Sequence, residues 1–343
     1  MATHPALGRR LGAGGLSLLL ALGACREGRA RWSALPVANP ADTLPPERLY
    51  GAPPAENLRL LPIEVEVPGL PRGWDGARLL ALGDLHLGLW PPNEATLRAA
   101  LRGGAAAGAE VLMLLGQHLT RDDPAAAQAL ARALADRPMR LAFAVLGPED
   151  LRSDSLRAHT MAALAAGGVR VLRNERIVLV RGGDSLALVG FTAPAEASVG
   201  DARYAWHQLP RRDSLLGVAL LPRPDFGVGA PPARVGVLLS GWAHCGRVPL
   251  PWAPRRAEWE AGLLRGRAVP GVEGLYRLRG NPLLLTCGLG YGFVPMRFGA
   301  PPQALLVRLR RTLPPDTAAR ADTVGLDTLL RRFQRPPRPD TAR

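Results

Sequence analysis

The residues best suited to chemistry come directly after four apolar runs of the sequence. A strand that ends in Asp-x-His presents a carboxylate and an imidazole to one point, and this pair suits a hard or borderline divalent ion. In an α/β sheet such residues collect at the carboxyl ends of the strands, where ligands bind. The run LLALGDLHLG ends in Asp84 and His86, VLMLLGQHLT in Gln117 and His118, LAFAVLGPED in Glu149 and Asp150, and VGVLLSGWAHCG in His244 and Cys245.

Strand and helix patterns alternate around these residues. Apolar runs of strand length recur between residues 57 and 311, and three Ala-rich stretches with helical periodicity begin at Asn93, Pro124 and Asp154. The early part predicts parallel strand–helix units, whereas the later part is rich in strands. We therefore expect one α/β domain over 57–311.

The N-terminal 25 residues are typical of an export signal. Arg9 and Arg10 precede an apolar stretch that is too short to cross a bilayer. The LGAC sequence at 22–25 is similar to a bacterial lipobox, in which Cys25 would be lipidated; an ordinary signal peptide or an uncleaved anchor is the alternative. We expect an exported protein that is tethered at a membrane surface outside the cytoplasm.

The segments that flank the domain have the composition of linkers. Residues 26–56 are rich in Pro and lack apolar periodicity, which predicts a tether. Residues 312–343 predict one short helix and a mobile tail rich in Arg and Pro.

The charge of the chain excludes one class of partner. The formal net charge is +14, and every basic side chain is Arg because the sequence contains no Lys. The Arg residues are scattered, with few aromatic residues among them, so we do not expect nucleic-acid binding. A solvated Arg surface near anionic lipid is the preferred interpretation.

The ordered series of motifs resembles the calcineurin-like metallophosphoesterases. In that family the motifs run Asp-x-His, Gly-Asp, Gly-Asn-His-Asp/Glu, a lone His and Gly-His-x-His. The resemblance covers about residues 57–311, and the stretches VPGLPRGWDGARLLALGDLHLG and GLGYGFVPMRFGAPPQALLVRL are similar to the membrane-associated bacterial branch. It implies a four-layer α/β sandwich of two mixed β-sheets flanked by helices, with two divalent metals at the strand ends.

The resemblance implies that the ligands of the first metal are retained. They are Asp84, His86 and His244. Gln117 stands where the family has the Asp that bridges the two metals, and Gln117, Glu149 or water could complete a single-metal site. An uncharged amide bridges two ions poorly. We therefore expect at most one divalent metal, Zn, Mn or Fe, and the alternative is no metal, with Asp84 and His86 kept as structural relics.

The resemblance also implies that the second metal site is lost. Pro148, Pro222 and Trp242 stand where the family has its Asn, its lone His and the first His of Gly-His-x-His. None of the three can coordinate a metal through its side chain. Glu149 replaces the His that contacts phosphate, and its carboxylate would repel a phosphate unless it acts as a metal ligand.

These assignments lead to three functional hypotheses. The first is an envelope protein with a degenerate dinuclear site, inactive or weakly active, which binds a partner or a phosphorylated ligand. The second is a phosphoester hydrolase with a single metal on Asp84, His86 and His244, in which Glu149 or Asp150 is the base. The third is a scaffold of an envelope complex.

Several other residues are candidates for lesser roles. We expect Trp242 to fill the volume of the second metal as an aromatic plug, with base or sugar stacking as the alternative. Cys245 and Cys287 could form a disulfide, contribute a thiolate to the metal or remain free thiols. Arg247 and Arg297 could receive an anionic group. The histidines outside the family motifs are expected at the surface or in structural roles: His118, His159 and His207.

Overall fold

The computed structural model describes residues 32–34, 57–193, 199–209, 216–242, 274–292, 297 and 301–312. All of the described elements belong to one compact unit. The described residues form two mixed β-sheets flanked by helices, and this confirms the predicted fold class.

The first sheet has six strands in the order β2-β13-β3-β4-β5-β6. Strands β3 to β6 are parallel to one another, whereas β13 runs antiparallel to β3 and parallel to β2. The connections between the parallel strands contain helices, as parallel pairing requires. The strands are β2 (Arg59–Pro68), β3 (Arg78–Leu82), β4 (Val111–Leu114), β5 (Leu141–Ala144), β6 (Arg170–Val171) and β13 (Gln303–Thr312).

The second sheet has seven strands in the order β1-β11-β12-β10-β9-β8-β7. Strands β8, β9, β10 and β12 are parallel, and antiparallel strands lie at both sides of them. The strands are β1 (Trp32–Ala34), β7 (Glu175–Arg181), β8 (Asp184–Gly190), β9 (Leu216–Leu221), β10 (Val235–Ser240), β11 (Gly274–Leu278) and β12 (Asn281–Leu285).

Three helices cover the outer face of the six-stranded sheet. They are α1 (Pro92–Ala106), α2 (Pro124–Ala135) and α3 (Asp154–Ala166), and they match the three predicted helical stretches. Side-chain caps fix two of the starts: Asp123 accepts from the Ala125 N–H, and Ser153 accepts from the Leu156 N–H. Proline at the first helical position further favours the starts of α1 and α2.

The two faces of the six-stranded sheet enter different parts of the core. Leu79 and Ala81 of β3 belong to a cluster that lies between the two sheets, whereas Leu80 and Leu82 belong to a cluster under the helices. Alternation of side chains along a strand produces this division. Because both faces are buried, the strand reads as a continuous apolar run.

A fourth helix, α4 (Val199–Gln208), lies beside the seven-stranded sheet. Its Trp206 packs on Phe191, with ring centroids 4.6 Å apart, and donates its indole N–H to the Phe226 carbonyl at 2.7 Å. Phe226 lies in the 3-10 turn Pro224–Gly229, which directly follows β9. This aromatic group fixes the segment after β9, which matters for the site below.

One short strand lies inside the predicted tether. Trp32–Ala34 pairs antiparallel with β11, although the surrounding composition predicts a linker. Backbone pairing along a sheet edge needs no apolar periodicity, which is why sequence patterns did not reveal it. Within the described residues, no helix has the length and hydropathy needed to cross a membrane.

Candidate metal centre

The ends of strands from both sheets meet at one point. A Cβ on Gly83, which follows β3, would lie 3.3 Å from the Gly241 Cα and 3.3 Å from the Thr286 side chain. Gly241 follows β10, and Thr286 follows β12. Small residues are needed here because the two sheets approach each other at backbone distance. The residues that come next along each strand are therefore brought together.

Asp84 lies at this meeting point and is completely buried. The Trp242 backbone N–H donates to both carboxylate oxygens of Asp84, each at 3.0 Å. A Cβ on Gly288 would lie only 2.5 Å from the Asp84 Cβ, so the loop after β12 closes over the same side chain. The carboxylate is held between the loops that follow β10 and β12.

Backbone strain is concentrated at this point. Asp84, His86, Gln117 and Trp242 all have positive φ angles, of 53°, 51°, 58° and 71°. They make up four of the seven non-glycine residues with positive φ in the described part of the chain. Such conformations cost about 1–2 kcal/mol per residue and occur preferentially at functional sites. The clustering makes these strand ends the candidate site.

His86 is buried next to the same loops. Its Nδ1 lies 2.7 Å from the Thr120 Oγ1, and its backbone N–H donates to the Gln117 carbonyl at 3.0 Å. With the proton on Nδ1, the ring donates to Thr120 and keeps a lone pair on Nε2. A metal-binding His is commonly oriented by a hydrogen bond from its other nitrogen. His86 is thus placed as a ligand would be.

Asn93 joins the loop that carries His86 to the loop after β12. Its Nδ2 donates to the His86 carbonyl at 2.8 Å and to the Tyr291 carbonyl at 3.0 Å, and its Oδ1 accepts from the Tyr291 N–H at 2.8 Å. The side chain is almost completely buried in the first turn of α1. Asn93 therefore positions both loops around Asp84.

Asp150 organises the loop after β4. It is completely buried, and its carboxylate accepts from the backbone N–H groups of Gly147, Gln117, His118 and Leu119 and from the His118 ring at 3.1 Å. Burial alone would raise the pKa of Asp150, but the charge and hydrogen bond of His118 and the backbone N–H groups outweigh it. The pKa of Asp150 is consequently lower than usual.

The Gln117 side chain remains beside this loop with an unused donor. Gln117 is 2% exposed, and in the described part of the chain its Nε2 has no hydrogen-bond partner. The same is true of the His118 Nε2. An amide supplies one neutral oxygen, whereas a bridging carboxylate supplies two oxygens and a negative charge.

Pro148 and Glu149 begin a 3-10 turn at the end of β5. Pro148 is buried, and Glu149 is partly exposed and forms an ion pair with Arg152 at 3.3 Å. Arg152 also donates to the Thr120 carbonyl. Glu149 therefore faces a guanidinium on its own turn.

Arg223 occupies the position after Pro222, directly beyond β9. It is 1% exposed and forms two hydrogen bonds with Asp225, each 3.0 Å long. Its Cζ lies 5.6 Å from the Phe226 ring centroid and 5.7 Å from the Trp242 ring centroid. Burial raises the pKa of Asp225, although the Arg223 charge opposes that rise. A guanidinium thus lies against the Trp242 ring, which is itself 8% exposed.

Cys287 is disulfide-bonded and buried. Its backbone N–H donates to the Gln303 Oε1 at 3.0 Å, and Arg297 donates to its carbonyl at 3.2 Å and to the Gly290 carbonyl at 2.6 Å. Arg297 thus braces the loop after β12 through carbonyl oxygens, and its role as a receptor for an anionic group stays a prediction.

Four residues singled out in the sequence lie outside the described residues. They are Cys25, His244, Cys245 and Arg247. The pairing of Cys245 with Cys287, the lipidation of Cys25 and the third metal ligand therefore remain predictions. Of the other histidines, His118 is buried on Asp150, His159 pairs with Asp122 at 2.5 Å on the surface, and His207 lies on α4.

The described residues differ in the ligands that they could offer to a metal. Asp84 and His86 both lie buried at the strand ends. Gln117, Pro148, Pro222 and Trp242 supply no charged or imidazole ligand for a second ion. In the described part of the chain no three His, Cys, Asp or Glu residues are grouped closely enough to hold a metal.

Sequence patterns missed four contributors to this site: Asn93, Thr120, Arg223 and the Trp242 backbone N–H. Each acts through a contact between segments far apart in the chain. The RPD sequence after β9 was the only local signal, since an Arg and an Asp two residues apart can pair with each other.

Comparisons with known proteins give limited information. No family model and no curated protein matches the chain. The crystal structure of TT1561 of Thermus thermophilus is 12% identical to the chain, covers 62% of this chain and 90% of that chain, and has a TM-score of 0.38. A second solved structure is also 12% identical, covers 61% of this chain and 90% of that chain, and has a TM-score of 0.33. These values describe a weak likeness of fold, and we draw no functional argument from them.

Proposed function

We propose that the chain is an envelope protein of the calcineurin-like metallophosphoesterase fold whose dinuclear site has lost its second metal. In this proposal the domain binds a partner or a phosphorylated ligand and hydrolyses phosphoesters weakly or not at all. Cys25 lipidation and the segment 26–56 would hold the domain at a membrane surface of the bacterial envelope, outside the cytoplasm.

The arrangement of Trp242 is the observation that carries this proposal. Its backbone N–H donates to both oxygens of Asp84, and its ring lies against Arg223. In an active dinuclear site the Asp84 carboxylate would face an ion, and an imidazole would occupy the position of Trp242. The indole instead acts as a plug, and the buried Arg223–Asp225 pair fills space next to it.

The loss of the second ion bears directly on catalysis. Two-metal hydrolysis needs charge neutralisation at both the attacking and the leaving oxygen. The chain has Gln117 in place of a bridging carboxylate and Glu149 in place of the phosphate-binding His. Each replacement removes several kcal/mol of stabilisation of the transition state. Ordinary phosphoester hydrolysis would be slower by many powers of ten.

A hydrolase with a single metal is the second candidate. The observation that favours it is the bond between His86 and Thr120, which orients the imidazole as in a metal ligand. Asp84, His86 and His244 would hold the ion, which would supply a Lewis acid. Neither candidate base is free to take up a proton in this candidate: Asp150 already accepts hydrogen bonds from five donors, and Glu149 is paired with Arg152.

A scaffold role is the third candidate. Its docking segment, residues 312–343, lies outside the described residues apart from its first position.

A phosphodiesterase assay with and without the imidazole separates the single-metal hydrolase from the other two candidates. The full chain would be assayed with a chromogenic phosphodiester in the presence of Mn²⁺ or Zn²⁺, beside His86→Ala. The His159→Ala variant is the matched control, because it removes an exposed imidazole elsewhere on the domain.

The leading proposal predicts a rate near the uncatalysed rate in all three proteins. Substantial turnover that is abolished in His86→Ala and kept in His159→Ala would replace it with the single-metal hydrolase. A scaffold would bind no metal and would be indifferent to both substitutions.

A further inference from the structure

Strand β7 forms an exposed edge of the seven-stranded sheet. It pairs with β8 on one side and is the last strand of that sheet in the described part of the chain. An edge strand carries a row of backbone N–H and C=O groups that can pair with another strand. The strand has seven residues, which is long enough for such pairing.

The outer face of β7 exposes two large apolar side chains. Val178 is 50% exposed and Val180 is 67% exposed, and they account for two of the four large hydrophobic residues that the described part of the chain leaves exposed. The neighbouring Leu179 points the other way into the core between the sheets. Edge strands are usually protected by Lys, Pro or an inward-pointing charge. Residues 177–180 contain no such residue.

The sequence of β7 is complementary to itself in one antiparallel register. When two copies of β7 pair, the residues directly opposite each other lie on the same face of the joined sheet. Each solvent-facing residue must therefore pair with a solvent-facing residue of the other copy. Three registers near the strand centre satisfy this condition. The register centred on Val178 also places Glu175 of each copy opposite Arg181 of the other copy. A register centred on the residue before Val178 places Glu175 opposite Leu179, and one centred on the residue after it places Arg181 opposite Ile177.

The charged residues at the ends of β7 already belong to ion pairs within the chain. Glu175 pairs with Arg170 at 3.2 Å, and Arg181 pairs with Glu110 at 2.9 Å. In the register centred on Val178, each end would join these pairs into a network of alternating charges. Charge complementarity therefore favours a second copy of this chain as the occupant of the edge.

We propose that two copies of the chain associate through antiparallel pairing of their β7 strands about a two-fold axis at Val178. The two seven-stranded sheets then continue into each other across the axis. A single strand pair buries less than a standard interface of about 1,600 Å², so we expect a dissociation constant of about 10 µM or weaker. This inference does not depend on the state of the metal centre.

Cysteine cross-linking tests both the association and its register. In the full chain, Val178→Cys places the two cysteines directly opposite each other across the axis. Their Cα atoms would lie about 5 Å apart, which is the separation that a disulfide needs. Val180→Cys is the matched control: it is more exposed, yet its two copies would lie about 13 Å apart along the strand. Oxidation should give a cross-linked dimer with Val178→Cys and little with Val180→Cys or the unaltered chain.

Sedimentation velocity supplies an independent readout. The unaltered chain should show dimer at about 100 µM, and Val180→Lys should shift it to monomer without changing the melting temperature, because the side chain is exposed. The proposal is overturned if the chain stays monomeric and Val178→Cys does not cross-link. It is also overturned if both cysteine variants cross-link equally, if Val180→Lys leaves a dimer intact, or if the edge accepts an added strand peptide while the chain remains a monomer.

Discussion

At the scale of single residues, Asp150 is the most heavily committed polar side chain of the described site. Five donors converge on its carboxylate, and they hold the loop that carries Gln117 and His118. Sequence patterns had offered Asp150 as a catalytic base. The contacts identify it as a structural anchor of the strand ends.

Replacing Asp150 by Asn should destabilise the fold strongly. The change removes the charge and turns an amide donor towards backbone N–H groups, so we expect a loss of about 3 kcal/mol in the free energy of unfolding. Urea denaturation measures this difference. The neighbouring Glu149→Gln is the control, and because its ion pair with Arg152 is exposed it should cost less than about 0.5 kcal/mol. Equal effects of the two changes would argue against the anchor role.

The contribution of Asp150 should also depend on pH. Its pKa is lower in the folded chain than the value of about 3.9 expected in the unfolded chain, so the carboxylate stabilises the fold above that value. This stabilisation is lost as the pH falls through the folded pKa, since His118 and the backbone N–H groups then face a neutral acid. The difference in unfolding free energy between the unaltered chain and Asp150→Asn should shrink between about pH 5 and pH 2. A constant difference over that range would contradict the assignment.

At the scale of elements, helix α1 packs on β3 through a glycine. A Cβ on Gly104 would lie 2.5 Å from the Leu80 side chain, whereas a Cβ on Gly103 would meet nothing within 4 Å. The two positions are adjacent in one helix, so they share the same backbone conformation and differ in packing alone.

Alanine at these two positions should have opposite effects. Gly103→Ala should stabilise the chain by about 0.5–1 kcal/mol, because Ala loses less backbone entropy in a helix. Gly104→Ala should destabilise it by about 1–3 kcal/mol through overpacking against Leu80. In thermal unfolding, the melting temperature should rise for Gly103→Ala and fall for Gly104→Ala. Stabilisation by Gly104→Ala would mean that α1 lies farther from β3 than the contacts indicate.

Most elements could be predicted from periodicity, and their order indicated an α/β domain, whereas the sandwich of two mixed sheets was implied by the family resemblance. Helices α1, α2 and α3 and the long apolar strands were recognisable because each has one strongly patterned or continuously apolar sequence. Strands β6 and β11 and helix α4 were not predicted, since they are short or weakly patterned. Strand β1 was assigned to a tether because its pairing with β11 depends on the backbone.

The candidate site was predictable only in part. Asp84, His86 and Gln117 could be placed at the strand ends, since each directly follows an apolar run. The contacts that decide their roles join the two sheets: the bond from Trp242 to Asp84 spans 158 residues of sequence. Arg223 reaches Trp242 only because the turn after β9 is fixed by the aromatic group around Phe226. No local pattern encodes such contacts.

At the scale of the whole molecule, the proposed function requires a domain at a membrane surface in which the first metal site is kept and the second is lost. Asp84 and His86 are buried at the strand ends, Trp242 donates its backbone N–H to Asp84, and the buried Arg223–Asp225 pair lies against the Trp242 ring. The excess of Arg over acidic residues would favour contact with anionic lipid through solvated side chains. The β7 edge would allow two such domains to associate side by side.

The number of metal ions bound per chain tests the central claim most directly. The full chain would be equilibrated with excess Mn²⁺ or Zn²⁺, freed of unbound metal by gel filtration and analysed by mass spectrometry of the elements against protein concentration. The account predicts at most one equivalent, which should be lost in His86→Ala. Two equivalents per chain would show that the positions of Gln117, Pro148, Pro222 and Trp242 do not exclude a second ion, and would contradict it.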